Sequence, residues 1–200
     1  MLKLSLAAVF AAALLMTGCK DAAAPAAAGG AKSAQAPVSV AAIAAEATGF
    51  TAGSAVSART VYVFFDAQCP HCSELWRNAK PLKSQAKFVW IPVGLLNAAS
   101  TAQGATLLAS KNAVALMDEH EASMLAKRGG ISGGSDIDVQ KDQVAKNTQL
   151  LNRFGFGSIP TIVGTHAETG ALVTQEGALS TAALASLLGL QVPGAGTSAR

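Results

Sequence analysis

The residues best suited to chemistry are two cysteines in the segment Cys69-Pro70-His71-Cys72. If this segment begins a helix, the spacing of three places both thiols on one face, close enough to form a disulfide. A helix N-terminus offers unpaired N–H groups and a partial positive charge, which stabilise a thiolate. Cys69 is therefore predicted to be an acidic thiol that attacks a disulfide, and Cys72 to resolve the mixed disulfide.

Neighbouring residues are predicted to support this pair. Pro70 suits the first helical turn because its missing N–H needs no partner there. His71 is expected to add a hydrogen bond or positive charge beside the sulfur of Cys69. Asp66, three residues before Cys69, is expected either to modulate the thiols or to cap the end of the preceding strand.

Other roles for the two cysteines remain open from their spacing. A lone CxxC can be half of a metal site, although no second CxxC or close histidine pair completes it. A structural disulfide is a second alternative, but such a short loop gives little entropic stabilisation. Haem attachment is excluded because Ser73, and not histidine, follows the second cysteine.

A buried strand must precede this motif and a helix must follow it. The apolar run Thr60–Asp66 predicts a strand buried on both faces. A helix is expected over 70–86, interrupted at Pro81. Residues 88–95 predict a second central strand, parallel to the first because a helical crossover joins them.

The remaining elements predict the fold class. They are expected at 98–129 (helical, in two or more pieces), 139–154 (helix), 161–164 and 171–174 (strands) and 182–190 (helix). This order predicts an α/β protein with a thioredoxin-like fold over 59–191, in which a helical insertion at about 98–155 separates the βαβ and ββα halves. On the insertion, His120 lacks the second histidine of an HExxH zinc motif and is predicted to lie on a solvated helix face.

A second part of the site is predicted at Ser158-Ile159-Pro160-Thr161, just before a strand. In a thioredoxin-like fold, Pro160 is expected to be cis and to pack against the thiol pair. This geometry would leave the backbone of Ile159 free to pair with an extended substrate. A trans proline at the start of an edge strand is the alternative.

The N-terminal residues predict export. Residues 1–18 have Lys3 followed by an apolar stretch too short to span a bilayer, as in a signal peptide. The end of this stretch, Thr17-Gly18-Cys19, resembles a lipobox, so Cys19 is predicted to be acylated; an ordinary secretory signal is the alternative. Residues 19–58, rich in alanine, are expected to form a tether with one short helix at 38–47, and 192–200 a flexible tail.

Composition excludes several function classes. Three cysteines are too few for a disulfide-stapled scaffold. Fifteen basic and twelve acidic residues give a formal net charge of +3, which provides no electrostatic reason to expect nucleic-acid binding.

Residues 60–190 resemble the DsbC/DsbG branch of bacterial thiol:disulfide interchange proteins, and its DsbG members most closely. The resemblance is carried by VYVFFDAQCPHCSELW (61–76), WIPVGLL (90–96), LLASKNA (107–113) and SIPTIVG (158–164). It implies a periplasmic protein without cofactors that acts on cysteines of exported proteins, with Cys69 as nucleophile and Cys72 as resolving thiol. DsbG-like proteins are also linked with reduction of sulfenic acids on lone cysteines.

Three departures from this family affect the expected activity. The N-terminal dimerisation domain has no counterpart in the alanine-rich residues 20–58, so we expect a monomer. The dipeptide Pro70-His71 resembles that of the oxidase DsbA, whereas DsbG-like proteins usually have Pro-Tyr. Ile159 stands where DsbC and DsbG have threonine and resembles thioredoxins. The first two departures favour oxidation and the third favours reduction, so the direction of electron flow stays open.

The sequence therefore predicts a lipid-anchored periplasmic thiol:disulfide oxidoreductase acting as a reductase, isomerase or sulfenic-acid reductase. Its expected partners are exported proteins with disulfides or oxidised cysteines, and an inner-membrane redox protein that is DsbD-like or DsbB-like. Two alternatives use the same fold: a non-catalytic periplasmic chaperone, and a metal carrier that binds through the two thiolates.

Overall fold

In a computed structural model, which describes residues 35–192, the chain forms five strands and six α-helices over those residues. The strands are β1 (Phe50–Gly53), β2 (Thr60–Asp66), β3 (Lys87–Val93), β4 (Thr161–Thr165) and β5 (Leu172–Glu176). The helices are α1 (Val40–Glu46), α2 (Pro70–Ala79), α3 (Ala98–Ala109), α4 (Ala113–Leu125), α5 (Asp138–Arg153) and α6 (Thr181–Leu188).

The strands form one mixed sheet in the order β1-β3-β2-β4-β5. β2 and β3 are parallel, as predicted, and the other neighbouring pairs are antiparallel. α3, α4 and α5 follow one another between β3 and β4, where the helical insertion was expected. The predicted α/β class with a thioredoxin-like fold is confirmed.

The central strand β2 separates two apolar layers. Val61, Val63 and Phe65 face a core that includes side chains of α2 and α6, whereas Tyr62 and Phe64 face α1 and α5. Both faces of β2 are therefore buried, as its uninterrupted apolar run predicts. The site at the end of β2 thus rests on a strand that is packed from both sides.

Aromatic packing fixes α2 against the sheet. Trp76 of α2 meets Trp90 of β3 edge to face, with ring centroids 4.9 Å apart. Trp76 and Phe65 are both almost fully buried, which agrees with a core role for these two residues. After Ala79 the helix tightens into a 3₁₀ turn, Lys80–Leu82, because Pro81 cannot continue the α-helical hydrogen bonding.

The folded part begins before the predicted domain start at residue 59, so the expected tether over 19–58 is wrong from residue 40 onward. β1 pairs antiparallel with β3, with Phe50 opposite Trp90. The predicted short helix is present as α1, which begins after Ser39 and buries Ile43 completely. Only β1 was not predicted, because a strand of four residues gives little signal within an alanine-rich segment.

Two sequence predictions lie outside the described residues. These are the signal peptide with Cys19, and the tail after residue 192. Between residues 35 and 192, no helix combines the length and the apolar character needed to cross a bilayer.

Candidate active site: a dithiol at the start of α2

Cys69 lies at the junction between the end of β2 and the start of α2. It is the N-cap residue of α2, and Pro70 is the first helical residue. The N–H of Cys69 donates to the carbonyl oxygen of Asp66 at 3.0 Å, and its own carbonyl accepts from the N–H of Cys72 at 3.1 Å. These backbone bonds hold the thiol where the free N–H groups of the first helical turn are concentrated.

The two thiols of this site differ in acidity. Both cysteines are free and buried. The pKa of Cys69 falls from 9.0 to about 6, mainly because the Cys72 thiol donates a hydrogen bond to it; N–H groups of Cys72 and His71 and the charge of His71 contribute, and burial opposes the fall. Burial raises the pKa of Cys72 well above 9.0. At neutral pH Cys69 is therefore the thiolate and Cys72 the thiol.

His71 acts on Cys69 from an exposed position. Its side chain is 74% exposed, and its Nδ1 lies 3.7 Å from Oε2 of Glu74. Its influence on the pKa of Cys69 comes through the backbone N–H and the positive charge. The role of His71 as a residue that tunes the thiol of Cys69 stays a prediction.

Asp66 fixes the backbone around the end of β2. Its buried carboxylate accepts N–H groups of Gln68 at 2.8 Å, Leu95 at 2.8 Å and Leu96 at 3.0 Å. Both expected roles have support, because the carboxylate caps the end of the strand and Asp66 also acts on the pKa of Cys72, which its charge raises and its backbone hydrogen bond lowers. The loop after β3 is thereby tied to the loop that leads to Cys69.

The loop before β4 faces Cys69. The peptide bond between Ile159 and Pro160 is cis, as predicted. The carbonyl oxygen of Ile159 lies 3.8 Å from Sγ of Cys69, within reach of a weak S–H hydrogen bond when this thiol is protonated. The segments 69–72 and 158–161, which are far apart in the chain, therefore lie next to each other, as expected for a thioredoxin-like fold.

Glu176, which the sequence analysis did not single out, positions this loop. Its Oε2 accepts the N–H of Gly157 at 3.0 Å, the N–H of Ser158 at 2.7 Å and the hydroxyl of Ser158 at 2.9 Å. Glu176 is the last residue of β5, opposite Thr161 of β4. One carboxylate oxygen thus holds the two residues that precede Ile159.

The helical insertion is hydrogen-bonded to the loop that precedes Cys69. Nε2 of Gln68 donates to Oε1 of Gln103 at 2.6 Å and to the carbonyl of Gly129 at 2.9 Å. His120 reaches the same loop, because its Nε2 lies 2.7 Å from the carbonyl of Ala67. The prediction that His120 lies on a solvated face is wrong, since its side chain is fully buried.

A second titratable side chain of α4 is buried beside the site. Glu121 is only 4% exposed, and its Oε2 has no hydrogen-bond partner. Burial raises the pKa of this carboxyl from 4.5 to about 7. The sequence analysis missed Glu121, although Met117, one helical turn earlier, marks the buried face of α4.

Metal binding has no support from side-chain clusters in the described part of the chain. No group of three or more His, Cys, Asp or Glu side chains there is arranged to hold an ion. The Cys72 thiol is hydrogen-bonded to Cys69, and Sγ of Cys69 also contacts the carbonyl oxygen of Ile159.

Comparison with curated proteins identifies relatives of this site. No family model matches the sequence. The chain is 34% identical over 139 residues to the thiol:disulfide interchange protein DsbG of Pseudomonas aeruginosa, covering 68% of this chain and 54% of the relative. It is 30% identical over 107 residues to DsbG of Escherichia coli, covering 51% and 42%. The chain thus spans about half the length of the curated relatives it matches.

Comparison with solved structures supports the fold. The catalytic domain of Proteus mirabilis ScsC matches with a TM-score of 0.57 at 15% identity, over 74% of this chain and 96% of that one. Pseudomonas aeruginosa DsbA2 matches with a TM-score of 0.57 at 19% identity, over 69% and 91%. A periplasmic thioredoxin-like protein from Salmonella enterica serovar Typhimurium reaches 0.59 at 14% identity, over 77% and 97%. Over its matched residues, this chain is a DsbG-like protein of thioredoxin fold.

Proposed function

We propose that this chain is a periplasmic thiol:disulfide oxidoreductase that exchanges its Cys69–Cys72 pair with cysteines of exported proteins. The observation that carries the proposal is the unequal acidity of the two thiols at the start of α2. The pKa of Cys69 is about 6, whereas that of Cys72 is raised well above 9.0. One sulfur is therefore ready to attack while the other retains its proton for the second step.

Each step of the exchange follows from this asymmetry. The Cys69 thiolate attacks one sulfur of a substrate disulfide, the substrate S–S bond breaks, and the released substrate thiolate takes a proton from solvent. Cys72 then loses its proton and attacks Sγ of Cys69, which expels the second substrate sulfur as a thiolate. On a sulfenic acid, the Cys69 thiolate attacks the oxidised sulfur and the S–O bond breaks; the hydroxide released takes a proton from solvent and leaves as water, after which Cys72 resolves the same mixed disulfide. The reverse sequence oxidises a substrate dithiol.

The Ile159 loop supports a role in substrate binding. Its carbonyl lies beside Sγ of Cys69, and Ile159 is partly buried against both apolar layers. An extended peptide that pairs with this backbone would bring its own sulfur next to Cys69. We expect recognition to depend on main-chain hydrogen bonds and so to tolerate different substrate sequences.

Single cysteine variants test the proposed exchange. Cys69→Ser is expected to abolish reduction of a model peptide disulfide, and Cys72→Ser to accumulate the peptide as a mixed disulfide on Cys69, visible by mass spectrometry. Cys19→Ser, which removes the third cysteine of the chain, is the matched control and should retain activity. Full activity of Cys69→Ser would refute the proposal.

The direction of electron flow is tested by the equilibrium with glutathione. Reference potentials extend from about −120 mV for a strong oxidant to about −270 mV for thioredoxin. A potential near the first value supports an oxidase that a DsbB-like partner re-oxidises, or an isomerase, whose dithiol must be kept reduced. A potential near the second supports a reductase kept reduced by a DsbD-like partner. Undiminished protection against aggregation by a Cys69→Ser/Cys72→Ser variant without exchange activity would favour the chaperone alternative.

The proposed location includes lipid attachment at Cys19. The lipobox-like segment Thr17-Gly18-Cys19 supports it. Metabolic labelling with a palmitate analogue is expected to label the wild-type chain and not Cys19→Ser. An unlabelled mature protein whose mass shows no acyl chains would refute lipid attachment but leave the exchange proposal intact.

A further inference from the structure

Glu121 is a buried carboxyl that the exchange steps described above do not use. It lies on α4, which packs against α2, and it interacts with the Ser73 hydroxyl next to Cys72. Neither Oε2 of Glu121 nor Oγ of Ser73 completes a hydrogen bond, and both atoms are buried. Burying an unpaired carboxylate is so unfavourable that such a group tends to hold a proton instead.

The charges around Glu121 come from α2 and the turn after it. Arg77 and Lys80 favour the carboxylate form, whereas the thiolate of Cys69 disfavours it. α3 and β1, the other elements that pack closely against α4, contain no charged residue. His120, beside Glu121 on α4, has both ring nitrogens occupied by backbone groups. The group near Glu121 whose charge changes with the redox reaction is therefore Cys69.

We propose that Glu121 binds a proton when the Cys69–Cys72 disulfide is reduced and releases it when the disulfide forms again. The inference rests on the proposed exchange function, with a thiol such as glutathione as the reductant. Two electrons and one proton convert the disulfide into the Cys69 thiolate and the Cys72 thiol. A second proton on Glu121 then compensates the negative charge that appears on Cys69.

The coupling follows from electrostatics in a buried site. In the dithiol protein, burial and the Cys69 thiolate both raise the pKa of Glu121, which reaches about 7. In the disulfide the negative charge on sulfur is gone, while Arg77 and Lys80 remain. The pKa of Glu121 must then be lower, so the carboxyl loses its proton near neutral pH. By linkage, the reduced form is favoured more strongly as the pH falls through this range.

Carbon-13 NMR of the glutamate carboxyls tests the inference on the wild-type chain. The protein is titrated once as the dithiol and once after oxidation with glutathione disulfide, and the Glu121 signal is identified by its loss in Glu121→Gln. We expect a titration midpoint near 7 in the dithiol form and a lower midpoint in the disulfide form. The same midpoint in both forms would overturn the inference.

The equilibrium with glutathione provides an independent measurement. Uptake of one additional proton changes the equilibrium constant tenfold per pH unit, so an additional half proton changes it about threefold. Near neutral pH, the wild type is expected to depend on pH more steeply than Glu121→Gln by about this factor. Glu119→Gln, which alters an exposed carboxyl on the same helix, is the matched control and should follow the wild type.

The outcomes separate this inference from the function on which it rests. If the wild-type pair forms no reversible disulfide with glutathione, the proposed function fails. If the pair is reversible but Glu121→Gln and the wild type have the same pH dependence, only the role of Glu121 fails.

Discussion

Replacing Cys72 by alanine should make Cys69 a weaker acid, whereas replacing it by serine should not. The largest cause of the low pKa of Cys69 is the hydrogen bond that the Cys72 thiol donates to it. Alanine removes the donor, while the serine hydroxyl keeps a donor of similar reach. The two variants therefore differ in the one interaction to which we attribute most of the acidity.

The size of the effect follows from the energy of a hydrogen bond to a charged group. Such a bond contributes about 1.5–3 kcal/mol, and about 1.36 kcal/mol corresponds to one pKa unit. The pKa of Cys69, about 6 in the wild type, is thus expected at about 7–8 in Cys72→Ala. At pH 6 the thiolate fraction of Cys69 would fall from one half by about fivefold to fiftyfold.

The assay is the rate of iodoacetamide alkylation at Cys69 as a function of pH, quantified on the peptide by mass spectrometry. Peptide resolution separates Cys69 from Cys19, which is a further thiol wherever it is not acylated. We expect the rate profiles of the wild type and its Cys72 variants to show a higher midpoint for Cys72→Ala than for Cys72→Ser. Coincident midpoints for the two variants would show that the helix terminus, and not Cys72, sets the acidity.

Three further changes test other parts of the structure. Gly130→Ala should lower the free energy of unfolding by about 2 kcal/mol or more, because the φ of Gly130 is +88° and an added Cβ would clash with the His120 ring. Gly129→Ala is the control: the φ of Gly129 is +83° but the space around it is open, so this change should lower the free energy of unfolding by only about 1 kcal/mol. Glu121→Gln should stabilise the dithiol protein at pH 8 by about 3 kcal/mol and much less at pH 5. The pKa of Glu121 is raised from 4.5 to about 7, so the wild-type protein has its full stability below pH 4.5 and loses stability as the pH rises through 7. Glu176→Ala should raise the KM for a peptide disulfide about fivefold with little change in kcat, because it removes three hydrogen bonds that hold the Ile159 loop, the proposed substrate-binding segment.

These three predictions have distinct measurements and controls. Urea denaturation compares the two glycine variants, and equal losses would contradict a clash with His120. The same method at pH 5 and pH 8 compares Glu121→Gln with Glu119→Gln, and a stabilisation independent of pH would contradict a buried ionisation. Steady-state kinetics compares Glu176→Ala with Glu168→Ala, an exposed residue in the turn before β5. An unchanged KM would show that the loop keeps its position without Glu176.

The parts of the site that were predicted correctly have local signals in the sequence. The run Thr60–Asp66 carries its strand signal within seven residues, and Pro70 marks the first turn of α2. The geometry of Cys69 and Cys72 follows directly from these two elements. Pro160 was recognisable because it stands immediately before a strand in the second half of the fold.

The start of the fold was mistaken because its stabilisation is not local. β1 is an edge strand of four residues, and its place in the sheet depends on pairing with β3, almost forty residues away. α1 is held by the burial of Ile43 against α5 and by the Ser39 cap. The alanine-rich composition of this segment does not reveal the few long-range contacts that stabilise these two elements.

The buried polar residues of α4 were missed for a related reason. His120 and Glu121 follow Met117 by three and four residues, so helical spacing alone places them on the buried face. Polar residue type was given more weight than this spacing, because polar side chains are buried mainly when they have partners. Those partners, Ala67 and Ile131 for His120, could not be identified before the chain was folded.

The contacts of His120 show why the insertion belongs to the active site and is not an appendage. The N–H of Ile131 can only donate, so Nδ1 of His120 accepts it at 3.2 Å and the ring proton resides on Nε2, which donates to the carbonyl of Ala67. Protonation would place a second N–H against that of Ile131, and burial lowers the pKa of His120, which keeps the ring neutral. The stabilisation is therefore present above the ordinary pKa of histidine and is lost only as the pH falls through the lower value in the folded protein. In its neutral form, His120 connects the backbone of Ile131 to the loop that leads to Cys69, so the insertion helps to hold the nucleophile in place.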